Sequence, residues 1–200
     1  MKQTLFSLIG GILLGSCVSS TPSGSIELAQ SFQRTTLTQE IRTPITSRSR
    51  VYINNRSTID HGNVDTFSFV DIAYNVGREV GILYEQQIYP YLGAPSRFGI
   101  DLFSSSEGLA FYTSGTIGNN PDFQIVFSPS YRLNIRNGLG IYVSAEILTL
   151  FENEYHNRSD VRTRIGLSLN NNTTLGLGVD AQNVGAGEKY YPTIFLMRRF

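Results

Sequence analysis

The sequence predicts an all-β chain that closes as a small antiparallel transmembrane barrel of about eight to ten strands, with ten favoured. Three observations predict it. Apolar and polar side chains alternate along most of the chain after residue 46. The alternating segments are roughly ten residues long, the length a tilted strand needs to cross a bilayer. The links between them alternate between tight turns and longer loops.

Composition agrees with this class and excludes others. Charged residues make up 16% of the 200, against roughly 25% in ordinary soluble domains, while 11 Tyr and 12 Phe are present and Trp is absent. The formal net charge is zero. The chain therefore lacks the broad basic field that nucleic-acid binding requires, and no nucleic-acid partner is expected. Nothing in the sequence asks for a cofactor.

The first segment, 1–16, reads as a signal peptide. Met1-Lys2 precedes Leu5, Phe6, Leu8, Ile9, Ile12, Leu13 and Leu14, a charged start followed by a short apolar region. That run is shorter than the ~20 apolar residues a spanning helix needs. Leu14-Gly15-Ser16-Cys17 resembles the lipobox of bacterial lipoproteins. The resemblance implies cleavage before Cys17, acylation of that cysteine and, with Val18 rather than Asp following it, delivery to the outer membrane. The alternative is an ordinary cleaved signal with an incidental cysteine. Cys17 is the only cysteine, so no internal disulfide can form.

Residues 17–45 are rich in Ser, Thr, Gln and Arg and show no sustained period, which predicts a flexible, lipid-anchored tether on the periplasmic side. In and just beyond it, Arg34, Arg42, Arg48 and Arg50 outnumber Glu27 and Glu40, so the segment reads as solvated or as a contact for anionic lipid.

Residues 46–200 form the barrel domain. Strands are expected near 46–56, 64–76, 79–91, 97–105, 108–117, 122–136, 139–151, 160–169, 173–183 and 190–200. Val70, Ile72, Tyr74 and Val76 alternate with Asp71, Ala73 and Asn75, and the same period runs through Leu139–Ile147 and Leu175–Ala181. Tight links such as Arg136-Asn137-Gly138 carry hairpin signals. Longer links are expected at 57–63, 90–96, 117–122, 152–159 and 184–189. Short turns on one side and longer loops on the other resemble the outer-membrane barrels, whose short turns face the periplasm. An even strand number places both barrel ends on that side.

The last residues add to the resemblance. Outer-membrane barrels end on an aromatic residue that the barrel assembly machinery reads, and Phe200 fits that role, although Arg198 departs from the apolar residue usual two positions earlier. Tyr89, Tyr91, Phe123, Phe151, Tyr190 and Tyr191 fall near the long-loop ends of strands, as an aromatic girdle would.

With the apolar set turned to lipid, the opposite set points inward: Asp71, Glu85, Asp101, Glu146 and Asp180 with Arg132, Arg136, Arg162 and Arg164, plus Tyr112 and Tyr142. An arginine on the lipid face would cost roughly 2–4 kcal/mol at mid-membrane, so the consistent inward phase supports the register. These charges either line a narrow polar channel or pair off and fill the lumen. A barrel of about ten strands is narrow enough for filling to be favoured.

His61 and His156, the two histidines, lie in expected long loops. Glu154-Tyr155-His156 superficially resembles an acid-x-His pair of the ten-stranded omptin proteases, but no second pair of adjacent aspartates accompanies it. His156-Asn157-Arg158-Ser159 has the residue types of lipid A deacylases without their spacing. Two histidines in separate loops give no metal-ligand spacing. The expectation is a non-enzymatic envelope protein with a structural or surface-interacting role. Its expected partners are outer-membrane lipid, the assembly machinery and an external ligand at the long loops. A narrow channel for ions or small solutes is the alternative, and a rim hydrolase acting on lipid A or peptides is a further one.

Overall fold

The computed structural model describes residues 23–60, 63–88, 95–118, 122–136, 138–152, 155–170, 172–184 and 187–200. They form a closed antiparallel barrel of twelve strands. In chain order these are β1 Ser23–Gln30, β2 Arg34–Pro44, β3 Ser49–Asp60, β4 Asn63–Asn75, β5 Val80–Ile88 and β6 Ser96–Ser106. Then come β7 Leu109–Gly118, β8 Asp122–Arg136, β9 Leu139–Glu152, β10 Tyr155–Ser168, β11 Thr173–Val184 and β12 Gly187–Arg199. Each strand pairs with its neighbours in sequence, and β1 pairs with β12 to close the ring.

All ten expected strands are present as β3 to β12, and the correction lies at the N-terminal end. Of the segment read as a tether, residues 23–44 form β1 and β2, so the barrel has twelve strands rather than ten. The alternation there is real but muted. Ile26, Leu28 and Leu37 face outward, while Glu27, Ala29, Thr36 and Thr38 are buried inside. Thr35 and Gln39 interrupt the outward apolar row, which is why composition alone read as linker.

The expected difference between the two ends is also smaller. Extended strands shorten four of the five long links, leaving two residues between β3 and β4 and two between β9 and β10; the link 89–95 keeps its expected length. The opposite end carries the links 45–48, 76–79, 107–108, 137–138 and 169–172 and both ends of the barrel chain, and is called the turn side below. The β6–β7 turn is only two residues long because Glu107 and Gly108 both take positive φ, 28° and 88°, matching the twist of the flanking strands.

Burial is inverted relative to a water-soluble domain. Ile100, Leu177 and Ile194 are each about 60% exposed, whereas Asn54, Thr116, Thr174 and Ser168 are fully buried. An apolar outer surface around a polar interior is what lipid on the outside and water or paired charge on the inside require. Among the described residues, one apolar core cluster sits at the seam: Ala29, Phe195 and Met197 are buried, with Tyr142 packed against them. Phe195 fits because the β11 residue beneath it is glycine; a Cβ at Gly176 would stand 2.7 Å from the ring.

Candidate functional site

The lumen is the candidate site, and its charges sort into three groups. The first is centred on β10. Arg164 reaches Glu27 at 2.9 Å and Asp180 at 2.6 Å, and Arg162 reaches Glu27 at 2.8 Å and Glu146 at 3.7 Å. Glu146 also accepts from Arg56 at 2.6 Å. In a ring of twelve, β3 and β9 stand opposite each other, so the Arg56–Glu146 pair is a strut across the lumen. Three arginines thus meet three carboxylates, and the low exposure of Arg164 is tolerable because both its partners are charged.

The second group lies on the far wall. Arg97 is fully buried, 2.6 Å from Asp122, 3.7 Å from Glu85 and 3.0 Å from the Thr116 hydroxyl. Gln87 donates to Glu85 at 2.5 Å and to the Gln124 carbonyl oxygen at 2.9 Å. Arg50 pairs with Asp101 and donates to Asn75. Asp71 differs from all of these. It is 3% exposed, its Oδ1 has no hydrogen-bond partner, and no arginine salt-bridges it among the described residues.

The third group is the turn-side mouth. Arg42 lies over the rings of Tyr52 (5.1 Å) and Phe103 (5.6 Å), and Arg199 lies over Tyr142 (4.7 Å). Arg132 donates to the Asn170 carbonyl oxygen at 3.1 Å, and its charge is close enough to Arg199 for the two to repel. Aromatic faces hold Arg42 and Arg199, and a backbone carbonyl holds Arg132.

Between the groups lies a cavity of about 340 Å³, running from Ser23, Arg42 and Arg199 at the turn side inward to Asp71, Glu85 and the Arg56–Glu146 strut. Its lining is mixed, with Tyr52, Tyr112 and Tyr142 between the charges.

Of the residues expected inside, Asp71, Glu85, Asp101, Arg164 and Asp180 are buried in the lumen, and Glu146 and Arg162 join the strut network. Arg132 is at the mouth. Arg136 is corrected: it is exposed on the turn-side rim, because the register shifts between Asn134 and Arg136 and the strand ends there. Tyr191 is corrected too, since it is buried inside beneath Arg34 (5.0 Å) rather than in an outer girdle. Phe200 exchanges backbone hydrogen bonds with Gly24, both 3.1 Å.

Sequence reasoning missed Glu27, Arg42, Arg50, Arg56, Arg97 and Arg199 as lumen residues. Their even spacing within strands was the available signal; for Glu27 and Arg42 it was hidden by the tether reading. Cys17, His61 and Glu154 lie outside the described residues, as does the side chain of His156. Among the described residues no group of three or more His, Cys, Asp or Glu is placed to hold a metal ion.

A closed antiparallel barrel with an apolar outside and a charged inside defines the class: this is the fold of the outer-membrane β-barrels. Among solved structures the chain is similar to the KdgM porin, with TM-score 0.54 and 9% identity over 89% of this chain and 99% of that one. It is equally similar to the NanC porin, with TM-score 0.54 and 8% identity over 88% and 98%. KdgM has also been solved in complex with disordered oligogalacturonate. At such identities the likeness is one of fold. No family model matches the chain and no curated protein matches it.

Proposed function

We propose that the protein is a narrow channel for small polar solutes in the outer membrane. The observation that carries this reading is the cavity of about 340 Å³, lined by charged residues and tyrosines, inside a twelve-strand barrel. Twelve strands enclose a wider lumen than the eight to ten that would let side chains fill it. The two similar porins support the same reading. The strut between Arg56 and Glu146 is then the constriction that limits solute size.

The strut also favours a second reading, a sealed structural barrel whose loops meet an external ligand. Planar-bilayer recording decides between them. Discrete openings whose unitary conductance rises when the strut is removed support the channel; an insulating barrel, with and without the strut, leaves the structural role.

The reading includes delivery and anchoring. Cleavage before Cys17 and its acylation would leave residues 18–22 between the lipid and β1. That span is at most about 20 Å, so the acyl chains would enter the leaflet directly beside the turn-side rim. Phe200, paired with Gly24 at the seam, is the proposed mark for the assembly machinery.

A further inference from the structure

Nearly every buried charge in the lumen has a partner of opposite sign, which makes the unmatched ones informative. Five residues stand side by side around the inner wall in direct register: Arg42 opposite Tyr52, Tyr52 opposite Asp71, Asp71 opposite Glu85, and Glu85 opposite Arg97. At the Glu85 end the row is satisfied by Arg97, Gln87 and Gln124. The Asp71 carboxylate, directly beside that of Glu85, is not: its Oδ1 is buried without a hydrogen-bond donor. Leaving a buried anion unmatched beside a like charge is costly, and the cost is relieved by a proton on the carboxylate or by a cation that arrives from elsewhere.

The opposite deficit lies two strands away on β2 and, across the seam, four strands away on β12. Arg42, exposed at the turn-side mouth, and the half-buried Arg199, one of whose terminal guanidinium nitrogens is buried without an acceptor, rest on aromatic rings and have no carboxylate partner among the described residues. Glu40, the nearest acid on β2, accepts instead from Asn54 at 3.4 Å. Adjacent strands are about 4.8 Å apart, so Arg42 and Asp71 leave the wall roughly 10 Å apart. Both line the same cavity, with the Tyr52 ring between them.

Resting on the channel reading, we infer that the lumen cavity selects small zwitterionic solutes of the free amino acid and short-peptide class, with the carboxylate held by Arg42 and Arg199 and the ammonium by Asp71. A dipolar solute satisfies both deficits at once, where a simple anion or cation satisfies one and is repelled by the other. The cavity volume lies at the lower end of the range for small-molecule sites and suits a solute of that size. The tyrosines between the charges provide apolar faces for its side chains.

The test uses the full chain refolded into liposomes and, in parallel, into detergent. Four related probes are compared: alanyl-alanine (zwitterion), N-acetylalanine amide (neutral), N-acetylalanine (anion) and alaninamide (cation). Liposome swelling should be several-fold faster with alanyl-alanine than with the neutral probe, and Asp71→Asn or Arg42→Gln should each abolish that advantage. In detergent, alanyl-alanine alone should raise the melting temperature. Arg199→Gln serves in place of Arg42→Gln if the latter loses its heat-modifiable gel mobility.

If no probe permeates yet alanyl-alanine still raises the melting temperature, the channel reading fails and the site stands. Equal swelling with all four probes and no melting shift would overturn the site and keep the channel. N-acetylalanine matching alanyl-alanine, with Asp71→Asn unchanged, reduces the cavity to an anion site and overturns the inference equally.

Discussion

Arg56 on β3 and Glu146 on β9 meet across the barrel lumen at 2.6 Å, although 90 residues separate them in sequence. Their strands are diametrically opposed, so this one ion pair narrows the lumen more than any pair along the wall can. The double variant Arg56→Ala with Glu146→Ala should open larger unitary conductance in planar bilayers. Glu146→Ala alone should be the less stable protein, by about 1–3 kcal/mol, because it strands Arg56 without its hydrogen-bond acceptor. Thermal melting in detergent reads the second effect, and unchanged conductance in the double variant would count against the constriction.

The burial of Arg164 gives a sharper stability test. Its guanidinium holds Glu27 of β1 and Asp180 of β11, joining the closing strand to the far side of the seam. Arg164→Ala should cost roughly 1–3 kcal/mol, since Glu27 and Asp180 lose its hydrogen bonds but keep Arg162 within 2.8 and 3.7 Å. Arg164→Lys should recover part of it, as one ammonium cannot reproduce the forked contacts. Denaturant unfolding measures both, and a loss below about 1 kcal/mol in the alanine variant would mean the pairs are solvated.

Lipid contact is tested on the outer surface. Ile100, in the middle of β6, is 60% exposed. Ile100→Arg should destabilise the folded barrel by about 2–4 kcal/mol in a bilayer, where the charge faces hydrocarbon. In a water-soluble barrel the same change would stay within about 0.5 kcal/mol.

Strand number can be tested without a structure. If residues 23–30 pair with both β2 and β12, their deletion leaves two unpaired edges in the bilayer, and the heat-modifiable folded band should disappear. A tether would tolerate the deletion.

Acylation is tested at its residue. Labelled palmitate should enter the wild type and not Cys17→Ser, while the folded band persists in both, because the barrel holds itself in the membrane. Equal labelling of the two would remove the lipobox reading.

Much of the fold was legible because pleated strands turn successive side chains to opposite faces, so Val70–Val76 and Leu175–Ala181 announced both a strand and its inward residues. The same rule placed Asp71, Glu85, Arg164 and Asp180 inside. It failed at β1 and β2, where the outward positions hold Thr35 and Gln39 among Ile26, Leu28 and Leu37, and a half-polar outer row resembles linker composition. It failed again at Arg136, where a register shift breaks the period.

What the sequence by itself determined, where the alternation is unbroken, is which positions face lipid and which face the lumen, and that the lumen must hold charge of both signs. Alternation is a local property of the extended chain, so it is written in neighbouring residues. Which charges meet is not local. Arg56 finding Glu146, Arg164 bridging Glu27 and Asp180, and Asp71 being left without a partner all depend on how many strands close the ring and with what stagger. Two additional strands widen the ring and change which walls face each other, and only the closed tertiary structure decides that.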